Sequence, residues 1–493
     1  MMISYNYQVT ADKLLMPMCK SLEPKEGVFR LHRGNSFSCD PVFQDIQPLV
    51  ESLLHLNMGG EDILLGTATK GLSSEGYTLK VTKDQIVARA VTSKGMLNAV
   101  QTLRQMALAN DNIIPCCVIE DEPQYRWRGF MLDCSRHFFN VQEIKKLLDS
   151  ASLHHLNVFH WHLCDDQGWR FPVEGYPLLE EIASKRKDRD YTDGRIYGGF
   201  YSKEDLLEVQ RYAHERKMIV VPEIETPGHS SALLAAYPNL GCSGGPYEVK
   251  AQWGIFEDVL CPGNDDSLVF LKAAITTLAS IFTDDYIHIG GDECPHTRWE
   301  QCPKCQKRMQ EENIANTAGL QGWFTSKVAD MVKLAGKRCI GWDEVLEAPF
   351  LPDNLIVMSW RGAKGGFEAS SKGKEVIMCP NTEGLYLDYQ HTDDPQEPGD
   401  LGVATIKETA SFSPIKKEMD AQQKKLILGA QGNLWTEKIC FGRQAEYMLY
   451  PRLAVIAERL WQPQSYESVQ ARLEWEYKKL EKLDINCYRG KTE

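Results

Sequence analysis

The stretch Tyr286-Ile287-His288-Ile289-Gly290-Gly291-Asp292-Glu293 decides how this chain is read. Four residues of strand type run into two glycines and then two adjacent carboxylates. The glycines let the backbone turn tightly or approach a ligand closely. Close like charges push one carboxyl upward, which leaves an acid still protonated near neutral pH. The alternative is an acidic pair on a solvated loop, or an N-cap for the next helix. The surroundings of the strand choose between the two.

Outward from that strand, short buried-type strands alternate with helical stretches. The strands read as Gly129–Cys134, Leu156–His160, Met218–Ile224, Tyr286–Gly290, Arg338–Trp342, Leu355–Trp360, Val376–Cys379 and Leu426–Ala430. Eight strands over about 300 residues is the count of a (β/α)8 TIM barrel, which carries its chemistry at the carboxyl ends of its strands. Residues 1–122 have a different rhythm. Val28–Leu31, Asp62–Leu65 and Tyr77–Val81 read as strands, and Lys94–Leu108 carries a helical apolar stripe. The expected class is α/β, with a small α+β accessory domain over 1–122 and a catalytic barrel over 123–493.

The strand ends are rich in carboxylates and tryptophans. They carry Asp133 and Arg136, Asp165 and Asp166, Glu225 and His229, Asp292 and Glu293, Trp342 and Glu344, Trp360, Tyr386 and Asp388, and Trp435 and Glu437. Indole faces pack on the C–H groups of sugars, and carboxylates accept from sugar hydroxyls. Three tryptophans at separate strand ends, Trp342, Trp360 and Trp435, favour a lined pocket over core packing alone. His229, if not simply a buried histidine satisfied by hydrogen bonds, pairs with Asp165 beside the acidic pair.

Two metal readings compete. His160-Trp161-His162 has the H-x-H form of a metal site, but later strand ends offer too few histidines to complete it. Cys302-Pro303-Lys304-Cys305 has the spacing of a zinc knuckle, which Cys294 and His296 could complete. Free or paired thiols capping a helix are the favoured reading there, so no metal is expected.

The net charge of −13 opposes a nucleic-acid or anionic-membrane partner. No apolar run approaches the roughly 18 residues of a membrane span. The N-terminal residues lack the basic and apolar regions of a signal peptide, and the 15 cysteines are scattered and odd in number. A cytoplasmic location is the expectation.

The series Arg128–His137, His160–Arg170, Pro222–His229, His288–Glu293, Trp342-Asp343-Glu344, Tyr386-Leu387-Asp388 and Trp435-Thr436-Glu437 strongly resembles glycoside hydrolase family 20, the β-N-acetylhexosaminidases. The likeness runs from about Tyr125 to near Tyr488, and more weakly over the N-terminal region. It implies a retaining exo-hydrolase that releases terminal β-linked N-acetylglucosamine, and N-acetylgalactosamine, from a glycan without a cofactor. It implies Glu293 as general acid/base, Asp292 on the substrate 2-acetamido group, and Tyr386 on the acetamido oxygen. Trp342, Trp360 and Trp435 become the walls of the sugar site. Arg136, Asp388 and Glu437 become hydroxyl-binding groups, and Asp165 with His229 a relay behind the acid/base. A non-catalytic carbohydrate-binding protein on the same barrel is the alternative, and the presence of Asp292, Glu293 and Tyr386 argues against it. Two departures stand out. Glu225 sits where many members have Asp, and the loop Gln390–Gly402 has no Trp to stack on a second sugar.

Overall fold

A strand that is apolar on both faces must be covered on both faces, and the eight such segments in this chain close on one another. In the computed structural model, which describes residues 9–68, 71–188, 195–349, 351–391, 397–399 and 401–493, they form a closed parallel barrel. In chain order its strands are Trp127–Asp133, Val158–His162, Ile219–Glu223, Tyr286–His288, Arg338–Trp342, Leu355–Ser359, Val376–Met378 and Ile427–Leu434. All eight were legible as strands, with ends differing by a few residues. The largest difference is in the last strand, which continues to Leu434 rather than stopping at Ala430. Closure comes from its pairing with the first strand, in a register that sets Gly429 opposite Trp127 and Leu434 opposite Leu132.

Helices cover the barrel and carry their own start signals. The helix Val141–Leu153 begins at a capping box in which Asn140 and Glu143 satisfy each other's backbone amides. Lys203–Glu215 begins the same way, with Ser202 and Asp205. The inward faces of these helices merge with the outer faces of the strands into one large apolar core.

The N-terminal region is a seven-stranded mixed sheet. Its longest strands, Ser21–Arg30 and Ile113–Asp121, pair antiparallel at one edge. The helix Ser93–Ala109 packs on it, as the stripe predicts, and Thr92 caps its first turn. This sheet has its own core, joined by Trp461 from the barrel side. No helix among the described residues is long and apolar enough to cross a membrane.

Candidate active site

The turn after the fourth barrel strand builds the centre of the site. Gly290 and Gly291 take φ of +68° and +106°, and Glu293 follows at +44°. A Cβ on Gly290 would stand 1.9 Å from Glu225 Oε2, so the backbone passes that carboxyl bare. The turn presents Asp292 and Glu293 side by side to one histidine. His229 Nε2 lies 3.6 Å from Asp292 Oδ2 and 3.6 Å from Glu293 Oε2. His229 itself has φ +46°. Strain of this kind at two neighbouring polar residues is typical of sites whose geometry matters.

Behind His229 stands a pair of aspartates. Its Nδ1 is hydrogen-bonded to Asp166 at 3.0 Å and lies 3.4 Å from Asp165 Oδ1. Asp166, which sequence reasoning did not single out, is thus the nearer partner. Asp165 also meets Arg136 Nη2 at 2.8 Å and His162 Nε2 at 3.2 Å. Burial works against charge on both partners. The aspartates nevertheless raise His229 well above the ordinary histidine range, and Arg136, His229 and His162 hold Asp165 far below the carboxylate range. His229 thus faces both carboxylates of the pair with its affinity for a proton raised.

The barrel floor repeats the theme. Glu223, fully buried, meets His160 Nε2 at 3.0 Å, His162 Nδ1 at 2.5 Å and His288 Nδ1 at 2.8 Å. His160, Glu223 and His288 come close enough together to ligate a cation, but in the H-x-H pair His162 is hydrogen-bonded to Glu223 while burial holds His160 down to about 4. Desolvation opposes charge on His162, yet Glu223 and Asp165 lift it to about 10.

The upward shift expected of the acidic cluster falls on Asp292, Glu225 and Glu344. Burial is the main cause in each case, and repulsion from neighbouring carboxylates adds to it. Glu344 reaches about 8. Asp292 is 8% exposed, and its Oδ1 has no hydrogen-bond partner. An unpaired buried oxygen of this kind costs stability and marks a place for a ligand donor.

Around the acids lies a pocket open to solvent. Its walls include Arg136, His229, Asp292, Glu293, the three tryptophans and Tyr386. Trp342 ends the fifth strand, Trp360 follows the sixth, and Trp435 follows the eighth. Trp360 and Tyr386 stack at 6.0 Å with an 11° interplanar angle, and Trp342 and Trp435 meet at 6.0 Å. The indole N–H of Trp360 donates to Glu344 at 2.9 Å, which fixes that wall. Tyr386 is held because its segment bridges to Asn433 of the last strand. Arg136 is placed by Asp133, whose Oδ1 accepts from the Arg136 amide at 3.0 Å. Its guanidinium sits 5.0 Å above the Trp435 ring and 4.0 Å from Glu437.

Nine of the eleven expected residues gather here, with Asp165 one layer behind the wall. Asp388 lies in an adjoining space that shares Tyr386, Trp435 and Glu437 with the main cavity. It accepts from the amide of Leu401. Residues 392–396 and 400 of the Trp-free loop lie outside the described residues. The cysteine knuckle is built differently from the expectation. Cys294 turns toward the carbonyl of Pro295, and His296 stacks on Trp299 and bonds Gln321. The side chains that do join Cys302 and Cys305 are Cys242 and Cys261, from a loop too far upstream for spacing to reveal.

Comparison with known proteins agrees with this geometry. Residues 125–464 match the model of glycosyl hydrolase family 20, catalytic domain, and residues 13–122 match that family's domain 2. A β-hexosaminidase of Porphyromonas gingivalis is 40% identical over 82% of this chain, which spans 53% of that relative's length. One of Vibrio furnissii is 32% identical over 90% of this chain and 76% of its own. The crystal structure of an exo β-N-acetylglucosaminidase from Vibrio harveyi, in complex with N-acetylglucosamine, superposes with a TM-score of 0.89 at 27% identity, covering 97% of this chain and 78% of that one. With both of its regions matched in order, and an acid pair, histidine and aromatic walls assembled at the carboxyl end of a parallel barrel, the chain belongs to glycosyl hydrolase family 20.

Proposed function

We propose that this protein is a retaining, exo-acting β-N-acetylhexosaminidase. It takes terminal β-linked N-acetylglucosamine, and N-acetylgalactosamine, from the non-reducing end of a glycan. The observation that carries this reading is the buried, unpartnered Asp292 Oδ1 in the wall of a tryptophan-lined cavity, beside Glu293. An acetamido N–H is the donor that this oxygen lacks.

The reaction follows from the layout. The substrate's acetamido oxygen attacks its own anomeric carbon as the bond to the leaving oxygen breaks, and Glu293 gives that oxygen its proton. The product is a bound oxazolinium ion, so no enzyme nucleophile is required. Positive charge grows on the acetamido nitrogen, which makes Asp292 more acidic as the reaction proceeds. Asp292, as a carboxylate accepting the acetamido N–H, is the counter-charge of the intermediate, and the nitrogen keeps its proton until the ring reopens. The Tyr386 hydroxyl donates to the acetamido oxygen and orients it. Water then attacks the anomeric carbon, Glu293 takes its proton, and the ring reopens. Two inversions give net retention. Trp342, Trp360 and Trp435 enclose the acetamido methyl and the sugar face, while Arg136, Asp388 and Glu437 hold hydroxyls. His229, with Asp165 and Asp166 behind it, positions the acid pair.

Residues 123–493 form the catalytic unit in this reading, with 1–122 as the accessory domain. Support comes from the gap between the strand ending at Asp121 and the barrel strand starting at Trp127. Fifteen cysteines without a disulfide support a reducing compartment, as in a cytoplasm. Activity confined to an extracytoplasmic fraction of cells expressing the native gene would refute that placement. The net charge of −13 supports a neutral glycan as partner rather than nucleic acid or membrane.

The test of function is a chromogenic panel. Nitrophenyl N-acetyl-β-glucosaminide and N-acetyl-β-galactosaminide should be hydrolysed, and the plain β-glucoside, which lacks the internal nucleophile, should be turned over negligibly. Comparable rates on all three would refute the mechanism.

A further inference from the structure

Four cysteines that play no part in the chemistry above converge on one point. Cys242, Cys261, Cys302 and Cys305 place their sulfurs within 4.8 Å of one another. The Cys261–Cys302, Cys261–Cys305 and Cys242–Cys305 separations are 3.8, 3.5 and 3.8 Å. A disulfide needs about 2.05 Å, and all four are free thiols. Four thiolates at about 2.3 Å from a tetrahedral zinc stand about 3.8 Å apart. From this geometry we propose that the four cysteines hold a structural zinc ion, distinct from the sugar site.

The local backbone suits thiolate ligands. Cys302-Pro303-Lys304-Cys305 forms a knuckle whose first cysteine is the N-cap of the helix Pro303–Glu311. Cys305 lies in the first turn, where helix amides favour a thiolate. The opposing segment Cys261-Pro262-Gly263 comes so close that a Cβ on Gly263 would stand 2.2–2.4 Å from the backbone of Lys304 and Cys305. Cys261, Cys302 and Cys305 are buried and Cys242 is half-buried, so the set is closed by four protein ligands, as a structural rather than a catalytic zinc requires. On binding, each thiol releases its proton to solvent as its sulfur bonds the metal, with no change of oxidation state.

The site would act as a strap between two active-site loops. Cys242 and Cys261 lie on the loop that follows His229, and Cys302 and Cys305 on the segment that follows Glu293. Hydrogen bonds run alongside, from the Leu260 amide to Pro227 O at 3.0 Å and from the Trp299 indole to Leu260 O at 2.9 Å. A metal here ties the histidine loop to the acid loop without touching substrate.

The experiment uses tag-free, full-length protein purified without added metal. Elemental analysis should find about one zinc per chain, released when a mercurial titrates the thiols. Exchange with cobalt should produce the intense visible bands of a tetrahedral tetrathiolate. Removal of the metal should lower the thermal midpoint by roughly 5–10 °C. Cys261→Ser and Cys305→Ser should lose the zinc, while Cys440→Ser, at an exposed thiol outside the cluster, should keep it. Should either cluster variant fail to fold, the zinc count and cobalt spectrum of the wild type still decide the matter. The proposal is overturned if the wild type carries no zinc and takes up none, if it carries iron instead, or if alkylation of the unfolded protein finds these cysteines in disulfides. None of these outcomes bears on whether the protein hydrolyses hexosaminides.

Discussion

Asp292 and Glu293 are neighbours in sequence but not in task. Glu293 acts on the leaving oxygen, so Glu293→Gln should slow sugar-alcohol leaving groups by about 10²–10⁴-fold and a nitrophenol far less. Asp292 acts on the acetamido nitrogen whatever departs, so Asp292→Asn should slow both kinds of substrate by about 10²–10³-fold. A steady-state comparison of the two variants on both substrates checks this, and rescue of the Asp292 variant by the better leaving group would reverse the roles. The pair was legible because two glycines before two acids have few structural uses. Asp166 was not, because adjacent aspartates differ only in where a turn aims them. The hairpin of Cys164–Asp165 with Gly168–Trp169 leaves Asp166 in its turn, nearer to His229. Cys242 and Cys261 were missed for a related reason, since nothing in their own neighbourhood specifies contact with a knuckle some 40–60 residues on.

The last barrel strand shows where pattern reading stops short. Gln431 and Asn433 look like loop residues, yet both are fully buried inside the barrel. Gln431 Nε2 reaches His160 Nδ1 at 2.9 Å and Asn433 Oδ1 at 2.9 Å, and the Trp127 indole donates to Gln431 Oε1 at 3.3 Å. Polar residues that bond one another in a barrel interior leave no hydrophobic signal, even where, as with Asn433 Nδ2, one atom is left over. The same strand contains Gly429 at φ +148°, where a Cβ would lie 1.9 Å from the carbonyl oxygen of Trp127 on the strand that closes the barrel. Gly429→Ala should therefore cost several kcal/mol, of the order seen for strained or overpacked sites. Gly373, at φ +74° with nothing within 4 Å, is the control, and its replacement by Ala should cost only about 1 kcal/mol. Chemical denaturation of the two variants distinguishes a clash from a conformational preference. Equal losses would refute the closure argument.

The two regions of the protein are joined by polar groups as much as by apolar packing. On the helix Tyr466–Lys482, Glu476 meets His154 at 2.7 Å and Lys479 at 2.6 Å, and Lys479 reaches across to Gln105 of the N-terminal helix at 2.9 Å. Burial opposes the charge on Glu476, but Lys479 and His154 hold it down to about 2, against 4.5 when free. A carboxyl depressed in the folded state contributes stability that is complete above the free value and is lost as pH falls through the folded one. The protein should lose stability progressively between about pH 4.5 and pH 2. Glu476→Gln should flatten that part of the profile and cost about 3–5 kcal/mol at neutral pH, because Lys479 is left buried without its partner. Thermal melts across this range, on both proteins, measure the effect. An unchanged acid limb in the variant would assign the loss to other groups.

The Trp461 indole donates to both carboxylate oxygens of Asp121, which also accept from the Tyr77 hydroxyl and the Lys20 amide. During synthesis these partners emerge 340 residues apart. At about 5–20 residues per second, the nascent N-terminal sheet waits roughly 20–70 s for the residue that covers the end of this strand. Throughout that interval the Asp121 end of the sheet faces water and chaperones rather than its barrel. The ribosome, by the order in which it delivers the chain, makes docking of the two regions one of the last events of maturation.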